Sequence, residues 1–223
     1  MIFIVDSNNK IIFGWSPKCG CSTVKTIAWY LIEGCSSPEI HTYKDIMDLP
    51  EDMENYTVIM VCRDPFKRIV SGFLDKYNKQ GIYRCMWGTD EPITFRKFVN
   101  EVINQNWSKI DFHHFVPQMG DKMDESKIAR AKHVVTYDIT QIDYDYIGSL
   151  YNKKISEEII QRNKNARPKM SQPYFNENIY DVNIDDYFAY DVEFESFYNP
   201  EIRQMVYDFY KKDFDTFYPS YNM

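Results

Sequence analysis

The chain has 223 residues, 44% hydrophobic and 17% aromatic, and a formal net charge of −7. That length and apolar content suit one domain with a sizeable core and exclude a disordered chain. The acidic balance removes the electrostatic case for nucleic acid as a partner, which needs a basic surface to offset phosphates.

Met1–Val5 is apolar but too short for a signal peptide, and no run approaches the roughly 18 apolar residues of a membrane-spanning helix. The expectation is a soluble, cytoplasmic protein with no membrane span, the other reading being a catalytic portion cut from an anchor; the Met start favours the former. Ile11, Ile12 and Phe13 predict a buried strand, and Val24, Ile27, Ala28 and Leu31 recur at helical spacing. Between them, Gly14 to Thr26 has the composition of a phosphate loop. Pro17 fixes the turn, Gly20 lets backbone approach a ligand, and Ser22 and Thr23 place hydroxyls beside N–H groups at the positive end of the helix dipole. The common triphosphate loop puts its lysine after the second glycine and a hydroxyl next to it for magnesium. Here Lys18 precedes Gly20. A lysine in mid-loop is suited to the oxygen that bridges a phosphate and its transferable group, where a leaving group becomes negative. A plain strand-to-helix turn with a solvated lysine is the alternative for this loop taken alone.

Residues 56–62 form the most strand-like run of the chain, β-branched and apolar without a breaker, and end at Arg63. Asp64-Pro65 then opens a helix whose Phe66, Ile69, Val70, Phe73 and Leu74 are spaced to face a sheet, with Ser71 two turns inside. Arg63 and Ser71 suit one phosphate, the first through its planar fork and the second through a hydroxyl. Singly, they read as an ion-pair partner and a helix filler. Lys18, Lys25, Arg63, Lys67 and Arg68 supply local positive charge around these elements, whereas residues 177–195 concentrate Asp and Glu. Further on, Tyr77, Tyr83, Trp87 and Trp107 are either core residues or platforms for sugar rings. His133–Asp138 predicts another buried strand, with His133 structural, followed by a helix through Ile142, Tyr146, Ile147 and Leu150. Five cysteines, at 19, 21, 35, 62 and 85, are an odd number without a second closely spaced pair. They predict neither a disulfide framework nor a zinc site, and reduced thiols are expected.

Two of these elements, in order, resemble the sulfotransferase family. Pro17-Lys18-Cys19-Gly20-Cys21-Ser22-Thr23 is similar to the family's 5'-phosphosulfate loop, and Arg63-Asp64-Pro65-Phe66-x-Arg68-x-x-Ser71 to the motif that grips the 3'-phosphate of 3'-phosphoadenosine 5'-phosphosulfate (PAPS). The likeness is to the Golgi carbohydrate sulfotransferases of the chondroitin and dermatan type, whose later His-Trp-x-Pro-Gln appears here as His114-Phe115-Val116-Pro117-Gln118. It covers mainly residues 11–75 and 111–150, and the tail beyond about residue 170 matches no pattern. The resemblance implies a PAPS cosubstrate held by residues 17–23, Arg63 and Ser71, with no metal. It also implies Tyr137 near the adenine, and Asn165 and Arg167 in a loop over the cofactor, a stretch that reads equally as a solvated charged loop. The Arg-Lys-Gly triplet of the cytosolic small-molecule sulfotransferases is missing.

An acceptor hydroxyl needs a base, and neutral imidazole titrates near working pH. His113 and His114 follow Asp111 between helices; His114, which aligns with the family motif, is the first choice and Asp111 the substitute. Alternation of strands and helices implies one α/β domain over 1–223, three-layer α/β/α with a central parallel sheet and ligands at the strands' carboxyl ends, the segment from about 170 to 223 packing on it as an α-rich addition. The resemblance puts the sheet at about five strands in a P-loop-like fold. The expected reaction moves the sulfuryl group of PAPS to an acceptor hydroxyl, most readily of a carbohydrate, giving 3',5'-ADP. The alternatives are a P-loop nucleotide kinase, against which Cys21 after Gly20 and Arg63 at the strand end both count, and a noncatalytic interaction protein on the same scaffold. The acceptor's identity and the oligomeric state are not written in the residues.

Overall fold

The computed structural model describes residues 1–35, 48–88, 91–120, 122–161, 170–173 and 178–221. Along the chain the elements are β1 (Ile2–Asp6), β2 (Ile11–Trp15), α1 (Cys21–Glu33), β3 (Thr57–Cys62), α2 (Pro65–Lys76), α3 (Arg84–Trp87), α4 (Phe95–Ile103), α5 (Phe112–Phe115), α6 (Lys122–Ile128), β4 (His133–Asp138), α7 (Tyr144–Ser149), α8 (Glu157–Gln161), β5 (Met170–Pro173), α9 (Ile184–Tyr187), β6 (Tyr190–Asp191), α10 (Pro200–Phe209) and α11 (Lys211–Phe217). They fall into two compact units, Met1–Arg63 with Gln118–Ala166, and Asp64–Pro117 with Arg167–Met223.

The first unit holds a mixed, mostly parallel sheet in the order β1-β2-β3-β4. β2, β3 and β4 run parallel, as expected, but β1 is antiparallel to β2. The reason is local. Asp6 Oδ1 accepts the N–H groups of Asn8 and Asn9 at 3.0 and 3.1 Å, and Lys10 takes a positive φ of 56°, so the chain reverses in a tight hairpin. The described residues give this sheet four strands where the resemblance implies about five. β3 is covered on both faces, since Val58 and Met60 are as buried as Ile59 and Val61. On one face, Val24, Ile27, Ala28 and Leu31 of α1 share a core with Phe13, Trp15, Ile59 and Val61, joined by Ile147 and Ile159. Val24, Ile27 and Leu31 contribute about 1.5–3 kcal/mol each by burial, which secures a helix too short to be stable alone.

One expected strand is corrected. Among the described strands β4 lies at an end of the sheet, and in place of a buried strand its first two residues, His133 and Val134, are exposed, so His133 has no core role. The apolar run was sound evidence for a strand but carries no information about position in the strand order.

The second unit is built on aromatic packing among helices. Phe66, Ile69, Val70 and Phe73 of α2 are buried in the predicted pattern and, within this unit, join Phe95 and Phe98 of α4 and Ile202 and Val206 of α10 in an aromatic cluster. The tail supplies much of this core, including Tyr187, Phe197, Tyr210 and Phe214. Asn199 caps α10 by accepting the Ile202 N–H at 2.8 Å, with Pro200 in the first turn. β5 and β6 pair in parallel as a separate two-stranded sheet. Among the described residues no helix is long and apolar enough to cross a membrane.

Candidate active site

In the first unit the sheet register sets one edge of the site. Trp15 pairs with Val61 and Val61 with Tyr137, so the turn after β2, Arg63 after β3 and Asp138 at the end of β4 all leave the sheet on the carboxyl side. After Trp15, the Cys19 N–H donates to the Ser16 carbonyl at 3.1 Å, and Lys18 and Gly20 take left-handed conformations at φ 67° and 76°. Gly20 adopts this without penalty, whereas Lys18 costs about 1 kcal/mol or more. Gly20 is doubly required, because a Cβ there would also overlap the side chain of Ile139. Gly20 is the residue before α1 and gives it no side-chain cap. A 13-residue helix beginning this way offers its N-terminal N–H groups and dipole to an anion.

The strained turn is fixed from within by Gln118, which is 0% exposed. Its Nε2 donates to the Arg63 carbonyl at 2.8 Å, its Oε1 accepts the Arg63 N–H at 2.9 Å, and its own carbonyl accepts the Ser16 hydroxyl at 2.7 Å. The amide holds Arg63 as a neighbouring strand would, continuing β3 by one pair. The same Oε1 accepts the Cys19 thiol. Arg63 Nη1 then donates to the Lys18 carbonyl at 3.2 Å. The structure therefore brings Lys18 and Arg63 together. It turns the Cys19 side chain into the core, leaves Cys21, Ser22 and Thr23 half-buried on the first turn of α1, and buries Pro17. Lys25 stacks over the Trp15 ring at 5.5 Å. Tyr137 packs partly buried against the α1-side core, and burial, then Asp143 and Tyr146, push its phenol pKa up.

In the second unit, Asp64 caps α2 by accepting the Phe66 N–H at 2.8 Å, and Ser71 lies half-buried on that helix. Lys67 is exposed, but Arg68 is 2% exposed, which corrects its place among the surface cations. Its Nη1 donates to the Val116 carbonyl at 2.7 Å and its Nη2 to the His114 carbonyl at 3.0 Å. The carbonyl between them, Phe115, accepts the Tyr210 hydroxyl at 2.6 Å. Three successive carbonyls are thereby fixed by two buried side chains. His113 is exposed, whereas His114 is mostly buried with Nδ1 at 2.5 Å from Asp111 Oδ2. Burial lowers the His114 pKa below its ordinary value, with Lys76 and His113 pushing the same way and Asp111 pulling against them. Burial thus favours the neutral imidazole, the form able to accept a proton.

Of the aromatic residues considered as sugar platforms, Tyr77 and Trp87 are core, while Tyr83 and Trp107 are half-buried. Phe112, 58% exposed and edge-on to Trp107 at 5.1 Å, was not foreseen. Asn165 and Arg167 lie outside the described residues. Asp111, Arg68, Gln118 and Tyr210 gain roles that motif reading did not give them. The spacing of Asp111 three residues before His114 is an N-cap signature that was available, but Tyr210 is 95 residues from its partner and had no local signal. None of the five cysteines is joined in a disulfide among the described residues. Among the described residues, no three His, Cys, Asp or Glu side chains gather to hold a metal.

The profile described as "Sulfotransferase family" matches residues 1–219. The chain belongs to the sulfotransferase family. It is 22% identical over 162 residues to carbohydrate sulfotransferase 14 of Danio rerio, covering 66% of this chain and 43% of that one. To carbohydrate sulfotransferase 10 of Xenopus laevis it is 24% identical over 216 residues, covering 84% of this chain and 60% of the other. The chain thus spans about half the length of the curated relatives it matches. No solved structure matches significantly.

Proposed function

We propose that this sulfotransferase-family chain transfers a sulfuryl group from PAPS to a carbohydrate hydroxyl. The observation that carries the reading is the left-handed Lys18–Gly20 turn opening α1, with the Arg63 guanidinium tied to the Lys18 carbonyl. Such a turn fits a 5'-phosphosulfate: a helix N-terminus for its anionic oxygens and a lysine for the bridging oxygen. PAPS, when bound, supplies a sulfuryl group already joined to a phosphate leaving group. Lys18 is assigned to stabilise negative charge as it develops on that phosphate, residues 17–23 to orient it, and Arg63 and Ser71 to hold the 3'-phosphate. His114, mostly buried and with its pKa lowered by that burial, is assigned the acceptor proton. The carbohydrate class rests on the names of the two relatives. Metal independence is the family expectation.

The test is incubation of the protein with ³⁵S-labelled PAPS and separate glycan, phenol and peptide acceptors, with and without a chelator. Label in the glycan fraction, unchanged by the chelator, is expected. Label confined to phenols or peptides would replace the acceptor class. Absence of transfer to any class would support a noncatalytic binding protein.

A further inference from the structure

We propose that Asp111 is a positioning residue that keeps the His114 proton on Nδ1 and leaves Nε2 as the basic nitrogen. This rests on the reading of His114 as the base. Asp111 Oδ2 is 2.5 Å from His114 Nδ1 and also accepts the His114 main-chain N–H at 2.9 Å. A carboxylate can only accept, so the ring nitrogen facing it must carry hydrogen. The free imidazole has no such constraint and either nitrogen can be protonated.

The surroundings make this geometry durable. The Asp111 N–H donates to the Tyr77 hydroxyl at 2.9 Å, and Tyr77 is 0% exposed, so the carboxylate's own backbone is anchored to the core. Arg68 and Tyr210 fix the carbonyls of residues 114–116. The Tyr83 ring lies 5.6 Å from the imidazole, centroid to centroid. The charged or titratable groups facing His114 are Asp111, Tyr83, Lys76 and His113. Asp111 alone opposes the other influences that lower its proton affinity. When the acceptor O–H proton moves to Nε2, the imidazolium formed stands beside the Asp111 carboxylate. The arrangement follows the logic of the serine-protease triad, in which a carboxylate orients a histidine without being protonated itself.

The deciding experiment is ¹⁵N NMR of the imidazoles in the intact protein. The chain has only four histidines, so His114→Gln suffices to assign the signal. At neutral pH, His114 is expected as the Nδ1–H tautomer with unprotonated Nε2. Asp111→Asn keeps an N-cap residue and an acceptor but removes the charge. It should lower the His114 titration midpoint by about one unit, move the acid limb of the pH–rate profile the same way, and reduce kcat about tenfold or more while KM for PAPS is unchanged. An Nε2–H tautomer in the wild-type protein would overturn the proposal without the need for any variant. An unchanged titration midpoint and kcat in Asp111→Asn would overturn it too. Failure of the base reading shows separately, as normal turnover in His114→Ala with the Nδ1–H tautomer intact in the wild-type protein.

Discussion

The two segments proposed to bind the donor and to take the acceptor proton are held in opposite ways. The turn from Ser16 to Gly20 has an unusual backbone, left-handed at Lys18 and Gly20, stabilised by the side chain of one buried glutamine and the fork of Arg63. The segment from Asp111 to Pro117 has an ordinary backbone, a capped single turn, and its main-chain carbonyls are held by the buried Arg68 and Tyr210. An anion loop has to present N–H groups, so conformation is what must be kept there. A base has to present one ring nitrogen, so rotation and proton position are what must be kept. The glycine and the helix start therefore matter most in the first segment, and the side-chain partners in the second.

The largest effect is expected at His114: His114→Ala should reduce turnover by roughly a hundred- to ten-thousandfold with donor binding intact, and His113→Ala far less, both read by kcat with a separate 3',5'-ADP titration. Because burial lowers the His114 pKa, the wild-type rate should fall on the acid side with its midpoint below the ordinary histidine value of about 6.5. The direction follows from protonation: acid converts the free base to imidazolium, and a depressed pKa moves that loss to lower pH. A midpoint above that value would mean that another group governs the limb. Next comes Lys18→Met, expected to slow transfer by about a hundredfold or more while 3',5'-ADP affinity stays within roughly tenfold. Normal turnover would remove Lys18 from the leaving-group role.

Smaller effects concern the supports. Gln118→Ala leaves the Arg63 N–H and carbonyl without their partner, a loss of about 1–3 kcal/mol per group, and should weaken 3',5'-ADP binding along with stability in urea unfolding. A variant destabilised but with unchanged affinity would show that the turn holds its shape without Gln118. Tyr210→Phe removes one hydrogen bond to the Phe115 carbonyl and should cost about 1 kcal/mol, lowering kcat more than it changes donor affinity. The reverse pattern would uncouple the tail from the base segment.

How legible each region was in the residues follows from the same contrast. The strand-turn-helix at residues 11–33 could be read because its rules are local: an apolar run, a proline, a glycine where φ is positive, and a helical period after it. The β1–β2 hairpin was equally local, signalled by Asp6 and the Asn8-Asn9 pair, but the short apolar start was weighed only as a leader. β4 was legible as a strand and not as an exposed one, because apolar content does not encode strand order. The aromatic face of α2 was legible as buried and not as facing α4 and α10, since a helical stripe does not name its partner. Arg68, Gln118 and Tyr210 act across 46 to 102 residues of sequence, and their roles appear only when the chain is folded.

In the proposed function Arg63 and Ser71 recognise an adenylate through its 3'-phosphate, beside the 5' group assigned to the Lys18 turn, and a melting-temperature shift reads this recognition. A ligand bound only by the folded state at about a hundredfold its Kd adds about 2.7 kcal/mol, or roughly 5–10 °C for a chain of this size. 3',5'-ADP is expected to give such a shift, 5'-ADP lacking the 3'-phosphate much less, and Arg63→Ala is expected to abolish most of the difference. Equal stabilisation by the two nucleotides, or a full 3',5'-ADP shift in Arg63→Ala, would contradict it.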